Sequence, residues 1–342
     1  MKILVWLSGW VDSAVTAYLL KKEGHDVTAG FMVNYRDLSN PNCQTRIDKE
    51  EAKKVAEYLK IPFRVFDYVD RYEKKVLNYM YEWYRKWITP NPDIMCNSEV
   101  KFRAFLDEAM DLWFEKIAMG HYARIIKWQL FKWVDSNKDQ SYFLAWLSSE
   151  QLSKAIFPIG ELEKPEVRKI ARKAGLPNAE RKDSQGICFV GKVNMADFLE
   201  KKIKPKRGLV KDTSGKILGE HKWVFYYTIG QRKWLDIWGQ EEPIFVVKKD
   251  LEKNEIIVWT NKDLELYSDK LIIKNINFLS NWKLWKAKCK IRYRQADQNC
   301  VVTKISEDEY SVEFNEKQRA IAQWQICAIY IWDELVMSWI IN

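Results

Sequence analysis

The opening of the chain constrains its fold more than any other stretch. Ile3-Leu4-Val5-Trp6-Leu7 is a short apolar run. Ser8-Gly9-Trp10-Val11-Asp12-Ser13 is a polar turn, and residues 14–23 carry helical spacing with Val15, Leu19 and Leu20 on one face. A buried strand that feeds a turn and then a helix is the first half of a βαβ unit, and Gly24 sits where such a helix closes. The turn aims backbone N–H groups at a helix N-terminus, which favours a phosphate. The hydroxyls of Ser8 and Ser13 add two donors.

The same alternation continues. Residues 27–33 and 63–67 read as strands, 46–59, 70–83 and 98–110 as helices, 88–94 as a loop, and 116–120 as a fourth strand. Strands alternating with helices predict an α/β fold, a doubly wound parallel sheet over residues 1–200. The basic, proline-containing stretch Lys201-Lys202-Ile203-Lys204-Pro205-Lys206-Arg207-Gly208 marks a boundary, either a solvated linker or a phosphate contact. Beyond it the helical pattern gives way to short β-rich runs at 223–228, 244–247, 255–258, 286–293, 300–305, 310–314 and 326–331, the pattern of small antiparallel barrels. A second break at 264–271 divides this half into a small central β-rich domain, 201–268, and a C-terminal β-barrel, 269–342.

Composition removes several classes. Of the 342 residues 47% are apolar and 30% charged, which excludes a disordered chain. No apolar run approaches the ~18–20 residues of a membrane span, and the first five-residue run is too short for a signal-peptide core. The net charge of +9, from 56 basic and 47 acidic residues, suits a polyanionic partner. Six scattered cysteines without a CxxC pair argue against a disulfide scaffold and a zinc site, and predict a reducing cytoplasm.

The Ser8–Ser13 turn resembles the SGGxDS loop of the PP-loop ATP pyrophosphatases, whose adenine nucleotide alpha hydrolase-like domain cleaves ATP to AMP and pyrophosphate. Further segments follow in order: Thr89-Pro90-Asn91-Pro92-Asp93-Ile94-Met95-Cys96-Asn97, Gly120-His121-Tyr122-Ala123-Arg124, Lys138-Asp139-Gln140-Ser141-Tyr142-Phe143-Leu144, Phe157-Pro158-Ile159-Gly160, Lys182-Asp183-Ser184-Gln185-Gly186-Ile187-Cys188-Phe189 and Tyr227-Thr228-Ile229-Gly230-Gln231-Arg232-Lys233. Together they resemble the bacterial tRNA-specific 2-thiouridylases, the MnmA/TrmU family. That family uses ATP to activate O2 of the wobble uridine in the tRNA anticodon stem-loop and replaces the oxygen with sulfur.

The resemblance implies roles for particular residues. Trp6, Leu7, Ser8, Gly9, Trp10, Val11, Asp12 and Ser13 would hold ATP with its Mg2+, and Met32 and Gly120 would face the adenosine. Cys188 would carry a persulfide and Cys96 would release its sulfur. Bottom-up, a thiolate is a suitable sulfur carrier, and two cysteines suffice if the fold unites them. Cys43, Cys289, Cys300 and Cys327 read as inert. Asn91, Pro92 and Asp93 would meet the target base; Pro90 and Pro92 stiffen that loop, and the Asp93 carboxylate could manage a proton there. His121, Lys138, Asp139, Gln140, Arg292, Tyr293 and Gln325 would contact tRNA. Read on its own, the 138–140 segment is a solvated charged turn, and Arg292-Tyr293 pairs a cation with an aromatic ring suited to RNA. A persulfide-bearing protein would donate the sulfur, and no membrane is involved.

One departure stands out. Tryptophan (17) outnumbers glycine (13), whereas average usage would give about 24 glycines. Trp10 stands where the family has its second loop glycine, and Trp87, Trp234, Trp332 and Trp339 also fall at family glycine positions. A glycine there can require positive φ, and an indole at residue 10 should crowd the pyrophosphate and weaken ATP binding. Two alternatives follow: a tRNA-binding family member with impaired catalysis, or another PP-loop ATP pyrophosphatase. The Cys96/Cys188 pair argues against the second.

Overall fold

A computed structural model describes the chain except residues 38–42, 87, 136–137, 183–187, 192–193, 233–234, 236, 238, 240–241, 261, 263–265, 275, 281–285, 324 and 342. Trp87, Trp234 and the middle of the 182–189 segment therefore lie outside the described residues.

The N-terminal sheet follows from period-two alternation in its strands. In β1 (Lys2–Trp6), Ile3 and Val5 are buried on one face and Leu4 on the other. Burial of such side chains on both faces stabilises by roughly 1.5–3 kcal/mol each. β1 pairs in parallel with β2 (Asp26–Val33) on one side and with β4 (Lys116–Ala118) on the other. β3 (Phe63–Asp67) and a short β7 (Ala155–Ile156) complete the order β3-β2-β1-β4-β7, all parallel. Helices α1 (Val11–Lys22) and α2 (Gln44–Tyr58) pack against one face. The order reverses between β1 and β4, so the carboxyl ends of these two strands open onto a crevice, where ligands bind in such sheets.

The other face carries α3 (Val69–Tyr72), a π-helical stretch at Glu73–Leu77 and α4 (Asn78–Arg85). It also carries α5 (Pro92–Cys96), which continues through a second π-helical stretch, Asn97–Ala104, into α6 (Phe105–Asp111). The loop expected to reach residue 94 thus ends at Asn91. Pro92 tolerates the first helical position because the N–H it lacks would have no partner there. The Asn91 side-chain oxygen accepts from the Ile94 N–H at 3.4 Å. π stretches cluster at functional sites, and this one begins directly after Cys96.

The rest is β. β8 (Gly208–Asp212), β9 (Ile217–His221), β10 (Ile244–Asp250) and β11 (Glu255–Thr260) form a four-stranded sheet. The strand expected at 223–228 is instead a single 3-10 turn, Val224–Tyr226. Trp223, Val224, Phe225 and Tyr227 are all buried there, without the alternation a half-exposed strand requires. β12 (Tyr267–Lys274), β13 (Asn277–Phe278), β14 (Ala287–Lys290), β15 (Gln298–Lys304), β16 (Glu309–Arg319), β17 (Ile326–Ile331) and β18 (Glu334–Ile340) build the C-terminal antiparallel sheet. Its last partners come from far upstream. The hairpin β5 (Arg124–Ile126) and β6 (Gln129–Phe131) pairs with β18 through Glu334↔Phe131 and Leu335↔Leu130. Among the described residues no helix is long and apolar enough to cross a membrane.

Candidate active site

The turn after β1 is held by its own side chains. The Ser13 hydroxyl accepts from the Ser8 N–H at 3.0 Å, lies 3.0 Å from the Ser8 hydroxyl, and donates to the Trp10 carbonyl at 2.9 Å. Gly9 takes the left-handed conformation, φ +85°, with the Asp48 carbonyl 2.4 Å from where a Cβ would stand. Trp10 differs from expectation: its φ is −95° and its ψ 159°, extended backbone with no left-handed strain. The sharp bend falls on Gly9, and residue 10 is the N-cap of α1. Its indole still occupies the loop. The Trp10 Nε1–H donates to Asp48 at 3.3 Å, and the Arg181 guanidinium lies 3.8 Å over the ring. Leu7 and Val11, expected at the nucleotide, are buried in the core instead. Asp12 receives hydrogen bonds from the Tyr122 hydroxyl and the Lys164 ammonium, both at 2.6 Å.

A cleft of about 600 Å³ runs from this turn to the cysteines, lined among others by Ser8, Met32, Gly120, His121, Asp93 and Cys188. Gly120 closes β4 against the start of α1; a Cβ there would stand 3.0 Å from the Asp12 carbonyl carbon and the Ser13 nitrogen. A side chain there would have to push the two backbones apart by a few tenths of an ångström. Met32 is fully buried in β2.

Cys96 and Cys188 meet across the fold, their sulfurs 3.8 Å apart, with the Cys96 thiol donating. Cys96 is fully buried and Cys188 half-buried. The Cys188 N–H donates to Asp93 at 3.4 Å, and the Tyr72 hydroxyl donates to the Cys188 carbonyl at 2.7 Å. The Cys96 hydrogen bond, helped by the Lys101 charge, holds the Cys188 thiol below its ordinary value despite burial. Burial, then the bond to Cys188, pushes Cys96 well up. The two thiols are therefore unequal, Cys188 being the more acidic of the pair. Burial raises the Asp93 carboxyl, opposed by Lys101. Burial and then the Lys101 charge push His121 far down, so its ring is neutral.

Several expected tRNA contacts face inward instead. His121 is buried among Trp6, Phe102 and Phe157 and lines the cleft. Asp139 is no solvated turn residue: it is buried, accepts from the N–H groups of Trp133 and Ser141 at 3.1 Å each, and pairs with Lys290 at 3.4 Å. Gln140 accepts from the Tyr122 N–H at 2.9 Å, while Lys138 is exposed. Arg292 donates to the carbonyls of Ile229 and Ala320 at 3.3 and 2.5 Å, so it braces the C-terminal sheet rather than standing free on an edge. Tyr293 packs on Phe143 with ring centroids 4.3 Å apart. Gln325 donates to the Thr89 carbonyl at 2.8 Å, tying the C-terminal sheet to the loop before Asp93. Cys43 is half-buried, while Cys289, Cys300 and Cys327 are buried in the C-terminal sheet.

The sequence reading missed Lys101, Arg181, Asp48 and Lys164. Lys101 is 5% exposed beside the two cysteines. Arg181 donates to the Gly9 carbonyl at 2.9 Å and to Asp48 at 2.5 Å. Two of these had a signal: Arg181 directly precedes the 182–189 segment, and Lys101 lies five residues after Cys96. Asp48 and Lys164 sit on helices with no motif around them. Among the described residues, no group of three or more His, Cys, Asp or Glu could hold a metal.

Residues 1–192 match the model of the tRNA methyl transferase HUP domain, residues 196–260 that of the tRNA methyl transferase PRC-barrel domain, and residues 268–341 that of the aminomethyltransferase beta-barrel domain. The tRNA-specific 2-thiouridylase MnmA of Lysinibacillus sphaericus is 42% identical over 346 residues, covering 98% of this chain and 92% of that protein. The proteins of the same name from Bacillus cytotoxicus and Bacillus anthracis are each 41% identical over 342 residues, covering 97% of this chain and 92% of theirs.

Proposed function

The chain belongs to the tRNA-specific 2-thiouridylase family, and from that premise we propose that it thiolates O2 of the wobble uridine of tRNA at the expense of ATP. The observation that carries this reading is the pair of sulfurs, 3.8 Å apart, of which that of Cys188 lines a cleft whose other end is the Ser8–Ser13 turn. ATP lies with its phosphates at that turn and its adenosine toward Met32 and Gly120. Asp12 is engaged by Lys164 and Tyr122, so the residues of the turn leave little for a metal to bind; Mg2+ arriving with ATP would supply charge neutralisation for the phosphates. Asn91, Pro92 and Asp93 meet the target base, which is splayed from the anticodon to reach them.

The uridine O2 attacks the α-phosphate and releases pyrophosphate, which converts a poor leaving oxygen into AMP. A persulfide-bearing donor protein loads sulfur on Cys188. The terminal sulfur attacks C2 of the base and AMP departs. The Cys96 thiolate then attacks the Cys188 sulfur. This breaks the S–S bond, frees 2-thiouridine and leaves a Cys96–Cys188 disulfide that an external thiol must reduce. Asp93 takes the proton from Cys96 as it attacks. The division at 1–200, 201–268 and 269–342 gives a nucleotide domain followed by two β domains, of which the last, with Lys138 and Tyr293 nearby, lies along the tRNA. Arg292 and Gln325 support this surface from beneath. The reading places the protein in the cytoplasm, where tRNA and reducing thiols are found.

Pyrophosphate release tests the first step. It is expected only when tRNA with a uridine at the wobble position is present. Release independent of that uridine contradicts the reading.

A further inference from the structure

Lys101 is buried, yet no carboxylate among the described residues lies within ion-pair distance of it. It projects from the π-helical stretch after Cys96 and lines the same cleft as Cys188, Asp93 and His121. The titratable groups facing it are Cys188, Cys96, Asp93 and His121. A buried ammonium is costly unless an anion meets it, and a Cys188 thiolate is the anion this geometry supplies. We propose that Lys101 is the cation that keeps Cys188 anionic, first as the thiolate that accepts sulfur and then as the persulfide. Burial alone would discharge Lys101, and the two cysteines with Asp93 more than reverse that.

This rests on the thiolation reading, but its test needs neither ATP nor tRNA, so the two fail separately. Alkylation of Cys188 by iodoacetamide is followed across pH by peptide mapping. At neutral pH, Lys101→Met should slow it about tenfold, one unit of thiol pKa, while Lys101→Arg should keep the parent rate. A Lys101→Met rate equal to the parent overturns the proposal. Should Lys101→Met not fold, the profile of Cys96→Ala decides, because that variant removes the other group that lowers the Cys188 thiol. A Cys188 midpoint below that of an ordinary thiol is expected, and one at or above it overturns the proposal.

An independent observation concerns three tryptophans. Trp113, Trp128 and Trp332 have φ of 61°, 69° and 55°, and their exposures of 85%, 64% and 82% exceed those of the other large apolar side chains described. Each sits at a standard glycine site. Trp113 follows α6 in a Schellman close, in which the Phe114 N–H donates to the Ala109 carbonyl and the Trp113 N–H to that of Met110. Gly24 and Gly175 occupy the same place, with the same two bonds, at the ends of α1 and of the helix Lys164–Lys173. Trp128 is the second residue of the two-residue β5–β6 turn, where both residues have positive φ. Trp332 is the first residue of the two-residue β17–β18 turn. Strain and exposure at all three positions, from the same bulky residue, call for one common cause.

We infer that positions 113, 128 and 332 are glycine in the protein made by its own cells, which decode as glycine the codon rendered here as tryptophan. Peptide mass spectrometry of the protein isolated from its own cells tests this. Peptides lighter by one tryptophan-to-glycine difference per site, with UGA codons in the gene, are expected. Tryptophan in those peptides, with UGG codons, overturns the inference.

Discussion

In the proposed reaction Cys96 and Cys188 divide the labour of sulfur transfer, and substitution should separate the steps. Cys188→Ser is expected to abolish 2-thiouridine formation while leaving tRNA-dependent pyrophosphate release within severalfold of the parent. Cys96→Ser should stop turnover after sulfur attaches to the base. Loss of pyrophosphate release in Cys188→Ser would remove the separation of activation from sulfur transfer. At the other end of the cleft, Trp10→Gly removes an indole clamped between Asp48 and Arg181 and should tighten ATP binding at least tenfold by calorimetry; equal affinity would show that the indole does not obstruct the nucleotide. His121 links the site to pH. Its folded pKa is pushed well below 6.5 by burial and Lys101. Below about pH 6.5 the unfolded chain binds a proton that the folded chain refuses, so stability falls as pH falls through that value. His121→Gln should flatten that slope in urea unfolding measured from pH 7 to 5; an unchanged slope would place the acid sensitivity elsewhere.

At the scale of elements, the site depends on two close approaches. The first is between the end of β4 and the start of α1, where a Cβ on Gly120 would stand 3.0 Å from the α1 backbone and press it back. Gly120→Ala should cost about 1–3 kcal/mol of stability and raise the KM for ATP while leaving tRNA affinity near the parent value. Unchanged ATP kinetics would show that the backbones part without consequence. The second is the Gln325 bond to the Thr89 carbonyl. Gln325→Ala removes one hydrogen bond of ~1 kcal/mol and should speed amide exchange in residues 88–94 about fivefold; exchange at the parent rate would mean that the loop is held by its prolines alone.

Across the whole molecule, legibility in the sequence followed the range of the interaction. Period-two alternation in β1, the Ser8–Ser13 turn and the glycine closing α1 are local, and each reads directly from neighbouring residues. The pairing of β6 with β18 was not legible, because a three-residue strand joins a partner about two hundred residues away. The inward turn of Asp139 was hidden for the same reason: Lys290, which pairs with it, lies 151 residues on. Residues 223–227 misled because a fully buried apolar run has the same composition in a strand and in a turn. Cys96 and Cys188 each stood inside a quoted segment, while Lys101, five residues after Cys96, fell just outside one. These scales converge on one reaction. The parent chain and Trp10→Gly should be incubated side by side with unmodified tRNA, ATP, Mg2+, polysulfide as the source of sulfane sulfur and a reducing thiol, and the digested nucleosides read by mass spectrometry. 2-Thiouridine at the wobble position is predicted, with Trp10→Gly reaching it at lower ATP. No 2-thiouridine from either protein at saturating ATP, with tRNA still bound, would contradict the account.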